Sequence, residues 1–380
     1  MKYSEKAFLQ DLEYLVNIDS GTETTDGIVK IADFFAEKYE NLGMTAKKII
    51  FDPIYGPCVE ARNNMEDESI DLLLLCHMDT VFPEGTCAKR PFKICQDRVY
   101  GPGVGDMKSG ALLAYTLVEN LLDVSPDMNI CVALNCDSEI GSVSSRSWIE
   151  SLAKKSKFCL GFEVGRSDGS FVKKRKGAIQ YSIKMYGKAT HAGIDPRGGA
   201  SAILEMANWI CRFADFDRLP LGTSLNFGVI QGGTMYNVIP EYAESRVDVR
   251  FETEEQLEIL EKEIKDLCIC PYNPDIRVEI ETLARSYPME INKQGEKLIE
   301  LMKRTAAEEG ISVNFVDTGG ASDASIPARV GAGTVDGCGP IGFNIHNDDE
   351  YILLSSVETR LRFLLCVCRK IKQEVDEIGF

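Results

Sequence analysis

The chain has 380 residues, 44% hydrophobic and 27% charged, which excludes a disordered protein and favours two domains. The net charge of −17 and the isoelectric point near 4.8 argue against nucleic acid and anionic membranes as partners. Met1–Val16 mixes charged and apolar positions as an amphipathic helix does and carries no signal peptide, and the apolar runs elsewhere are too short to span a bilayer. We therefore expect a cytoplasmic protein.

The first 170 residues alternate between helix-like and strand-like segments. Periodicity and apolar runs predict, in chain order, a helix over Asp26–Leu42, a buried strand over Ile70–Asp79, a helix over Lys108–Leu122 and a buried strand over Asn129–Glu139. Such alternation is typical of an α/β sheet, whose ligands gather beyond the carboxyl ends of the strands. Both predicted strands deliver histidine or acidic residues to that edge.

The middle of the chain follows a different pattern. Its predicted elements are a strand over Lys176–Tyr186, a helix over Ser201–Phe213, strands over Ser224–Ile230 and Ala243–Arg250, a helix over Glu254–Leu267 and a strand over Ile276–Thr282. This β-α-β-β-α-β order is ferredoxin-like. The α/β pattern resumes after about residue 285. The prediction is a catalytic domain of residues 1–173 plus 285–380, with a smaller domain of residues 174–284 inserted into it.

Cysteine usage favours buried free thiols. The thirteen cysteines are scattered and contain no C-x-x-C pair, and several lie in apolar strand-like runs. Without an export signal this pattern does not indicate a disulfide framework. The close pairs Cys268/Cys270 and Cys366/Cys368 have the wrong spacing for a thiolate zinc site.

Histidines and carboxylates are the candidate metal ligands. The three histidines stand beside glycine turns or acidic residues, and carboxylates follow successive strand ends or loops. Imidazole and carboxylate together suit zinc or a related divalent ion. Taken singly, an acidic residue at the start of a loop is most often a solvated cap, and only the order of these carboxylates relative to the strands favours metal binding. The candidates are His77, Asp106, Glu139, Glu163 and His346.

Two neighbouring stretches refine this hypothesis. In His77-Met78-Asp79 the spacing allows Asp79 to hydrogen-bond the non-ligating nitrogen of His77 and to fix its tautomer. The glycine-rich stretch 101–110 lacks the residues of a phosphate loop and of the dinucleotide fingerprint. Its glycines are better explained as letting the backbone wrap closely around Asp106.

Eight sequence blocks, in order, resemble the di-zinc amidohydrolase family that contains bacterial glutamate carboxypeptidase, aminoacylase, acetylornithine deacetylase, succinyl-diaminopimelate desuccinylase and peptidase T. The blocks are LLLLCHMDTVFP, YGPGVGDMKSGAL, NCDSEIGS, GFEVGR, GKATHAGIDPRGGASA, GGTMYNVIPEYAESRVDVR, TGGASDAS and HNDDEYI. Those around His191 and Asp323 are most similar to the glutamate carboxypeptidase members. The resemblance implies a mixed-sheet, zinc-exopeptidase-like catalytic domain with an inserted ferredoxin-like α+β dimerisation (lid) domain.

The resemblance also implies two divalent metal ions, zinc first, with cobalt or manganese as alternatives. Asp106 would bridge the two ions. His77 and Glu163 would complete one site, and Glu139 and His346 would complete the other. Asp79 would orient His77.

The inserted domain would supply further groups to the reaction. The resemblance implies that His191 reaches the active site of a partner subunit and stabilises the developing oxyanion. Asn237 and Arg250 would hold the substrate carboxylate, a task that suits the planar fork of arginine. A homodimer formed through the inserted domain follows from the same resemblance.

One position departs from the family pattern. The family carries two adjacent carboxylates after this strand, a general base and then a metal ligand, whereas this chain has Asp137-Ser138-Glu139. A carboxylate base contributes about 10²–10⁴-fold to the rate, and a serine hydroxyl is no base near neutral pH. Four explanations stay open: the metal alone activates water, Asp137 takes the role, the substrate differs, or the chain is a binding-only relative or an engineered inactive variant.

Three functions are compatible with these features. The first is a metal-dependent hydrolase that cleaves an amide bond next to a carboxylate, in a peptide ending in glutamate or another residue or in an N-acyl amino acid. The second is a metal-binding pseudoenzyme or impaired relative that captures such ligands without hydrolysing them, as Ser138 suggests. The third, a scaffold, predicts no metal binding.

Overall fold

A computed structural model describes residues 1–214 and 219–378, with side chains described as far as residue 373. The chain forms two compact units. The large unit comprises Met1–Lys174, Met289–Thr318 and Ser322–Phe380, and the inserted unit comprises Arg175–Pro288 and Gly319–Ala321.

A six-stranded sheet forms the centre of the large unit. Its strands, in spatial order, are β1 (Thr45–Ile50), β2 (Pro57–Arg62), β6 (Ile130–Asn135), β3 (Ile70–His77), β7 (Ser156–Gly161) and β14 (Gly333–Val335). The last four are mutually parallel, whereas β1 and β2 pair antiparallel. Every residue of β3 is buried, which explains why that strand is apolar on both faces. The predicted mixed-sheet α/β fold is confirmed.

Helices cover this sheet and complete the hydrophobic core of the large unit. The helices are α1 (Glu5–Val16), α2 (Thr25–Asn41), α3 (Thr86–Lys89), α4 (Ser109–Val124), α5 (Arg146–Ala153), α8 (Lys293–Glu308), α9 (Ser325–Arg329) and α10 (Ser355–Ile378). The first helix is amphipathic as predicted, and it buries its apolar face while the Ser4 hydroxyl accepts a hydrogen bond from the Ala7 N–H.

Two small sheets also belong to the large unit. One has the order β15 (Gly342–Phe343), β16 (Tyr351–Leu353), β5 (Arg98–Tyr100) and β4 (Lys93–Cys95). The other pairs β8 (Phe171–Arg175) with β13 (Phe315–Thr318). The first of them holds the segments on either side of His346, since β15 ends before this residue and β16 begins after it.

The inserted unit has the predicted β-α-β-β-α-β order and a hydrophobic core of its own. Its elements are β9 (Gly177–Tyr186), α6 (Ala202–Phe213), β10 (Ser224–Gly232), β11 (Tyr242–Phe251), α7 (Glu254–Ile269) and β12 (Arg277–Ser286), in the antiparallel sheet order β10-β11-β9-β12. The last strand runs beyond the predicted end at Thr282, because a bulge between Thr282 and Ala284 lets the pairing with β9 continue.

Two sequence-based expectations can be compared with the described residues. All thirteen cysteines are free thiols, and eight of them are buried. No helix within residues 1–214 and 219–378 combines the length and the apolar character that crossing a membrane requires.

Candidate metal centre

Three neighbouring parallel strands bring candidate ligands to one edge of the main sheet. His77 is the last residue of β3, which lies between β6 and β7. Glu139 follows the end of β6 and Glu163 follows the end of β7. Because parallel strands end at the same edge, residues that are far apart in sequence converge there.

Asp106 lies at the centre of the cluster. It belongs to the turn Val104–Lys108, which directly precedes α4. One carboxylate oxygen, Oδ1, lies 2.9 Å from Nε2 of His77, and the other, Oδ2, lies 3.0 Å from Nε2 of His346. The two oxygens of one carboxylate therefore face two different imidazoles.

The five predicted ligands form two groups that share Asp106. His77, Asp106 and Glu163 make one group, and Asp106, Glu139 and His346 make the other. Within each group the candidate ligand atoms all lie within 4.8 Å of one another. This arrangement suits two cations joined by a shared carboxylate.

The charges of the cluster favour bound cations. Burial raises the pKa of Glu139, and its Oε1 atom is buried without a hydrogen-bond partner among the described residues. Burial works against a charge on His77, but hydrogen bonding to Asp106 and Asp79 raises its pKa well above the usual value. Hydrogen bonds to Asp106 and Glu139 raise the pKa of His346 to about 10. A divalent metal would neutralise these carboxylates in place of the protons, so the residues present fit the metal that the resemblance implies.

The two groups differ in their exposure to solvent. The side chain of His77 is 4% exposed, whereas that of His346 is 48% exposed. His346 also has a φ of +65°, which is uncommon for a residue with a side chain. We infer that the group containing His346 is the more accessible of the two.

Asp79 connects the end of β3, which carries His77, with the loop after β6, which carries Glu139. Nδ1 of His77 lies 2.9 Å from the backbone oxygen of Asp79 and 3.4 Å from its carboxylate. That carboxylate accepts hydrogen bonds from the Thr22 hydroxyl at 2.8 Å and from the backbone N–H groups of Ser138 and Glu139. Asp79 therefore orients His77 mainly through its main chain, and its side chain holds the loop of Glu139.

Glu350 is a supporting residue that the sequence analysis did not identify. Its Oε1 accepts hydrogen bonds from the backbone N–H groups of Gly105 at 2.7 Å and Asp106 at 3.1 Å. Burial, followed by the charge of Asp106, raises the pKa of Glu350 to about 7. It stands in the acidic run after His346, and that proximity was the one available signal.

Replacing Glu350 should weaken metal binding without removing a ligand. We expect Glu350→Ala to lower metal affinity by about 10–100-fold, the usual cost of losing a group that orients a ligand. Glu350→Gln keeps an acceptor for the two N–H groups, so its metal affinity should fall less than that of Glu350→Ala. Isothermal titration calorimetry with zinc measures both, and Asp348→Ala is the control because that exposed neighbour forms an ion pair with Arg90, away from the ligands. Equal affinities for Glu350→Ala and the unmodified protein would contradict this role.

Asp137, next to the substituted position, is held away from the ligands. It is fully buried, and its Oδ2 accepts hydrogen bonds from the backbone N–H groups of Ser144 at 2.6 Å and Ser145 at 3.3 Å. Its Oδ1 accepts a hydrogen bond from the Ser145 hydroxyl. Moving Asp137 into the role of base would break all three bonds and leave buried N–H groups unpaired, which disfavours that explanation of Ser138.

Asp323 is a further carboxylate near the candidate ligands, since it lines a small cavity together with His77 and Glu163. Asp323 accepts hydrogen bonds from the side chains of Ser142 and Asn135, the latter at 2.7 Å. Burial raises the pKa of Asp323, while hydrogen bonding from Ser142, Ser138 and Asn135 counteracts that rise. In the sequence, Asp323 stands in the family block TGGASDAS, and no spacing there indicates a role for it.

The predicted groups of the inserted unit lie on its surface. The backbone N–H of Ala192 donates to the backbone oxygen of Asn237 at 2.9 Å, so the segments that carry His191 and Asn237 are neighbours. Nδ1 of His191 accepts hydrogen bonds from the N–H groups of Gly193 and Ile194, which places the proton of the neutral ring on Nε2. The exposed Nε2–H is then a hydrogen-bond donor.

Arg250 lies on β11 and is already oriented by a carboxylate. Its Nε and Nη2 donate to the two oxygens of Asp248 at 2.8 and 3.0 Å. Its Nη1 lies 3.5 Å from the Gly319 oxygen. This bidentate pairing fixes the plane of the guanidinium group.

Comparison with known proteins decides the family. Residues 73–370 match Peptidase family M20/M25/M40. The chain belongs to this family. It is 30% identical to carboxypeptidase G2 of Pseudomonas sp. (strain RS-16) over 368 residues, which cover 94% of this chain and 87% of that protein. It is 27% identical to acetylornithine deacetylase of Vibrio campbellii over 268 residues, 64% of this chain and 68% of that protein.

A solved structure shows the same fold. The M20 family metallo-carboxypeptidase Sso-CP2 of Sulfolobus solfataricus superposes with a TM-score of 0.77 at 18% identity and covers 96% of this chain and 99% of that one. The predicted family resemblance is confirmed, and the M20 protein is a hydrolase of the metallopeptidase and amidohydrolase type. The family supports metal-dependent hydrolysis of an amide bond, so the scaffold hypothesis is not needed.

Proposed function

We propose that this M20 protein hydrolyses an amide bond next to a carboxylate, releasing the C-terminal residue of a small peptide or deacylating an N-acyl amino acid. The observation that carries the proposal is the pair of ligand groups sharing Asp106. Glutamate is among the candidate C-terminal residues, because the blocks around His191 and Asp323 resemble those of the glutamate carboxypeptidase members of the family.

Two zinc ions are the proposed cofactors, with cobalt or manganese as alternatives. His77 and Glu163 would hold one ion, Glu139 and His346 the other, and Asp106 both. Bound zinc lowers the pKa of water and polarises a carbonyl group. The chain itself keeps Nε2 of His77 directed at Asp106, because the opposite ring nitrogen is held by Asp79.

The inserted unit is the proposed source of substrate recognition. Arg250, held flat by Asp248, would bind the substrate carboxylate together with the exposed amide of Asn237. His191 would reach the active site of a partner subunit and donate its Nε2–H to the oxygen on which negative charge develops during attack. These roles rest on the family resemblance and on the hydrogen bonds within this unit.

A homodimer through the inserted unit is part of the proposal. Its edge strand β10 exposes Val229 and Ile230, and α6 exposes Leu204. Tyr236, beside Asn237, is 97% exposed. An edge strand with uncovered apolar side chains is a surface that proteins usually pair or cover, and a second copy of the chain would do so.

Turnover of a matched pair of substrates tests the proposal. With two ions bound per chain, we expect hydrolysis of N-acyl glutamate or a glutamyl-terminated peptide and far slower hydrolysis of the C-terminal amide. Arg250→Lys should lower kcat/KM for the free acid by about 10–100-fold, because a charged hydrogen bond contributes about 1.5–3 kcal/mol. Arg246→Lys, the same change on the same strand, is the control.

The alternative function has its own outcome in this experiment. Ser138 favours a binding-only protein. If the metal-loaded protein turns over neither peptides nor N-acyl amino acids, yet calorimetry records their binding, the hydrolase proposal fails and the pseudoenzyme replaces it. Hydrolysis unaffected by Arg250→Lys would remove Arg250 from the substrate site while leaving the reaction in place.

A further inference from the structure

His346 is supported differently from the ligands on the main sheet. Those ligands stand at or just after strand ends, whereas His346 lies in the turn 344–350 between the short strands β15 and β16. Within this turn, Asn344 has a φ of +56° and His346 a φ of +65°. A residue with a side chain keeps such a conformation only where the surrounding structure holds it. The position of His346 therefore depends on what anchors the turn.

Hydrogen bonds within the turn do not anchor it to the rest of the large unit. The side-chain amide of Asn347 donates to the backbone oxygen of Ile345 at 3.0 Å. The side-chain amide of Asn344 donates to the carboxylate of Asp349 at 2.8 Å. These contacts join residues of the turn to one another, and both asparagines are exposed. They give the turn its shape but not its place.

Arg90 connects the turn to another part of the large unit. Its Nη1 donates to the backbone oxygen of Asn347, the residue after His346, at 3.1 Å, and lies 3.4 Å from the carboxylate of Asp348. Its guanidinium carbon lies 4.5 Å from the centre of the Phe82 ring, close enough for a cation–π contact. The side chain of Arg90 is 21% exposed and Phe82 is buried, so this contact is largely shielded from water.

We propose that Arg90 is a positioning residue for one of the two metal ions, the one that Glu139 and His346 would hold. This inference rests on the metal centre of the proposed function. The guanidinium group fixes the backbone beside His346 and thereby keeps Nε2 of its ring 3.0 Å from Asp106 and 3.6 Å from Glu139. The other ion would be held from strand ends of the main sheet and does not depend on this turn.

The segment that carries Arg90 is itself fixed, as a positioning role requires. Arg90 directly follows the short helix α3. At the start of that helix the Asp19 carboxylate accepts hydrogen bonds from the backbone N–H groups of Gly85 and Cys87, both at 2.8 Å. Phe82, on the other side of the guanidinium group, lies in the loop that continues from the end of β3. Arg90 therefore ties the turn of His346 to parts of the large unit that have their own anchors.

The hydrogen bond and the ring contact carry this role, and the ion pair adds little to it. The side chain of Asp348 is 94% exposed, and water screens an ion pair at such a site. A planar guanidinium group can lie on an aromatic ring while its edge donates to a carbonyl oxygen. A lysine ammonium group can make the second contact but cannot stack in the same way. Substitutions at Arg90 and Asp348 can therefore separate these contributions.

Two variants that each lack one ligand isolate the two ions for measurement. Glu163→Gln should keep the ion of Glu139 and His346, and His346→Ala should keep the other ion. Added to Glu163→Gln, Arg90→Ala should lower the zinc affinity by about 10–100-fold, the usual cost of losing a group that orients a ligand. Added to His346→Ala, it should change the affinity less than about twofold, because the remaining site is independent of the turn. Isothermal titration calorimetry of the metal-free proteins with zinc measures both effects.

A conservative variant separates positioning from a general effect on the fold. In the Glu163→Gln protein, Arg90→Lys should weaken zinc binding less than Arg90→Ala does, because the ammonium group can still donate to the Asn347 oxygen. Asp348→Ala should leave the zinc affinity of the same protein unchanged, because it removes only the exposed ion pair.

The matched control is Arg277→Ala in the inserted unit. The guanidinium carbon of Arg277 lies 4.2 Å from the centre of the Tyr186 ring, so this variant loses a contact of the same kind and should keep its zinc affinity. Thermal unfolding of the metal-free proteins shows whether each variant folds. If Arg90→Ala does not fold, Phe82→Leu keeps the test decisive, since it removes the ring but retains an apolar side chain and should weaken the same ion.

Two results would overturn the role of Arg90. One is an unchanged zinc affinity when Arg90→Ala is added to Glu163→Gln. The other is an equal loss of affinity when it is added to His346→Ala, which would assign Arg90 to the fold as a whole. Because these measurements use no substrate, a protein that binds zinc as expected but hydrolyses nothing would refute the proposed reaction and leave the role of Arg90 intact. If the unmodified protein binds no zinc, the two-ion centre and the role of Arg90 are both wrong.

Discussion

Asp106→Asn should release both metal ions and reduce hydrolysis by about a thousandfold or more. The amide has one oxygen where the carboxylate has two, and the structure directs those two oxygens at different histidines. An amide nitrogen facing a cation repels it, so neither ion keeps a full set of ligands. A metal ion contributes several kcal/mol of transition-state stabilisation, and about 4 kcal/mol corresponds to a thousandfold in rate.

Metal analysis of the purified variant is the primary measurement, because it does not depend on the choice of substrate. The unmodified protein should hold two zinc ions per chain and Asp106→Asn fewer than one. Glu163→Gln is the matched control, because Glu163 belongs to only one of the two groups. Glu163→Gln should bind one zinc ion per chain in place of two. If Asp106→Asn still binds two ions per chain, the shared carboxylate does not bridge them.

The main features of the fold could be predicted because local patterns determine them. β3 is buried over its whole length, and a continuous apolar run ending in His77 is the direct record of that burial. The convergence of Glu139 and Glu163 with His77 also follows, since strands that neighbour each other in a parallel sheet end at one edge.

The supporting residues could not be predicted in this way. The hydrogen bond between Asn135 and Asp323 joins positions 188 residues apart, and that between Gly105 and Glu350 joins positions 245 apart. No periodicity or short spacing encodes such contacts. The distinct contribution of Asp79 was also hidden, because the spacing to His77 suggested its carboxylate whereas the shorter contact uses its backbone oxygen.

These supporting contacts also explain why the family assignment and the chemistry at Ser138 are separate questions. The ligands stand on strand ends that the whole fold stabilises, so a change at one loop position leaves them in place. Proton transfer depends on a single side chain and its neighbours.

Removal of the metal ions should destabilise the large unit selectively. Without cations, Asp79, Asp106, Glu139 and Glu163 place four acidic groups close together at one sheet edge, with only two imidazoles among the candidate ligands to offset them. An ion present at a hundred times its Kd stabilises the folded state by about 2.7 kcal/mol, which corresponds to about 5–10 °C in Tm for a unit of this size.

Differential scanning calorimetry with and without a chelator checks this expectation. The inserted unit has a separate hydrophobic core, so its unfolding should shift little while that of the large unit moves down. His346→Ala should bind one ion fewer and show about half of the Tm shift on chelation. The more exposed group, which contains His346, loses its ion, whereas the group around His77 keeps its own. His191→Ala, in the inserted unit, should retain the whole shift. If chelation leaves Tm unchanged, bound ions do not stabilise the large unit. That outcome would contradict a two-ion centre formed by these carboxylates.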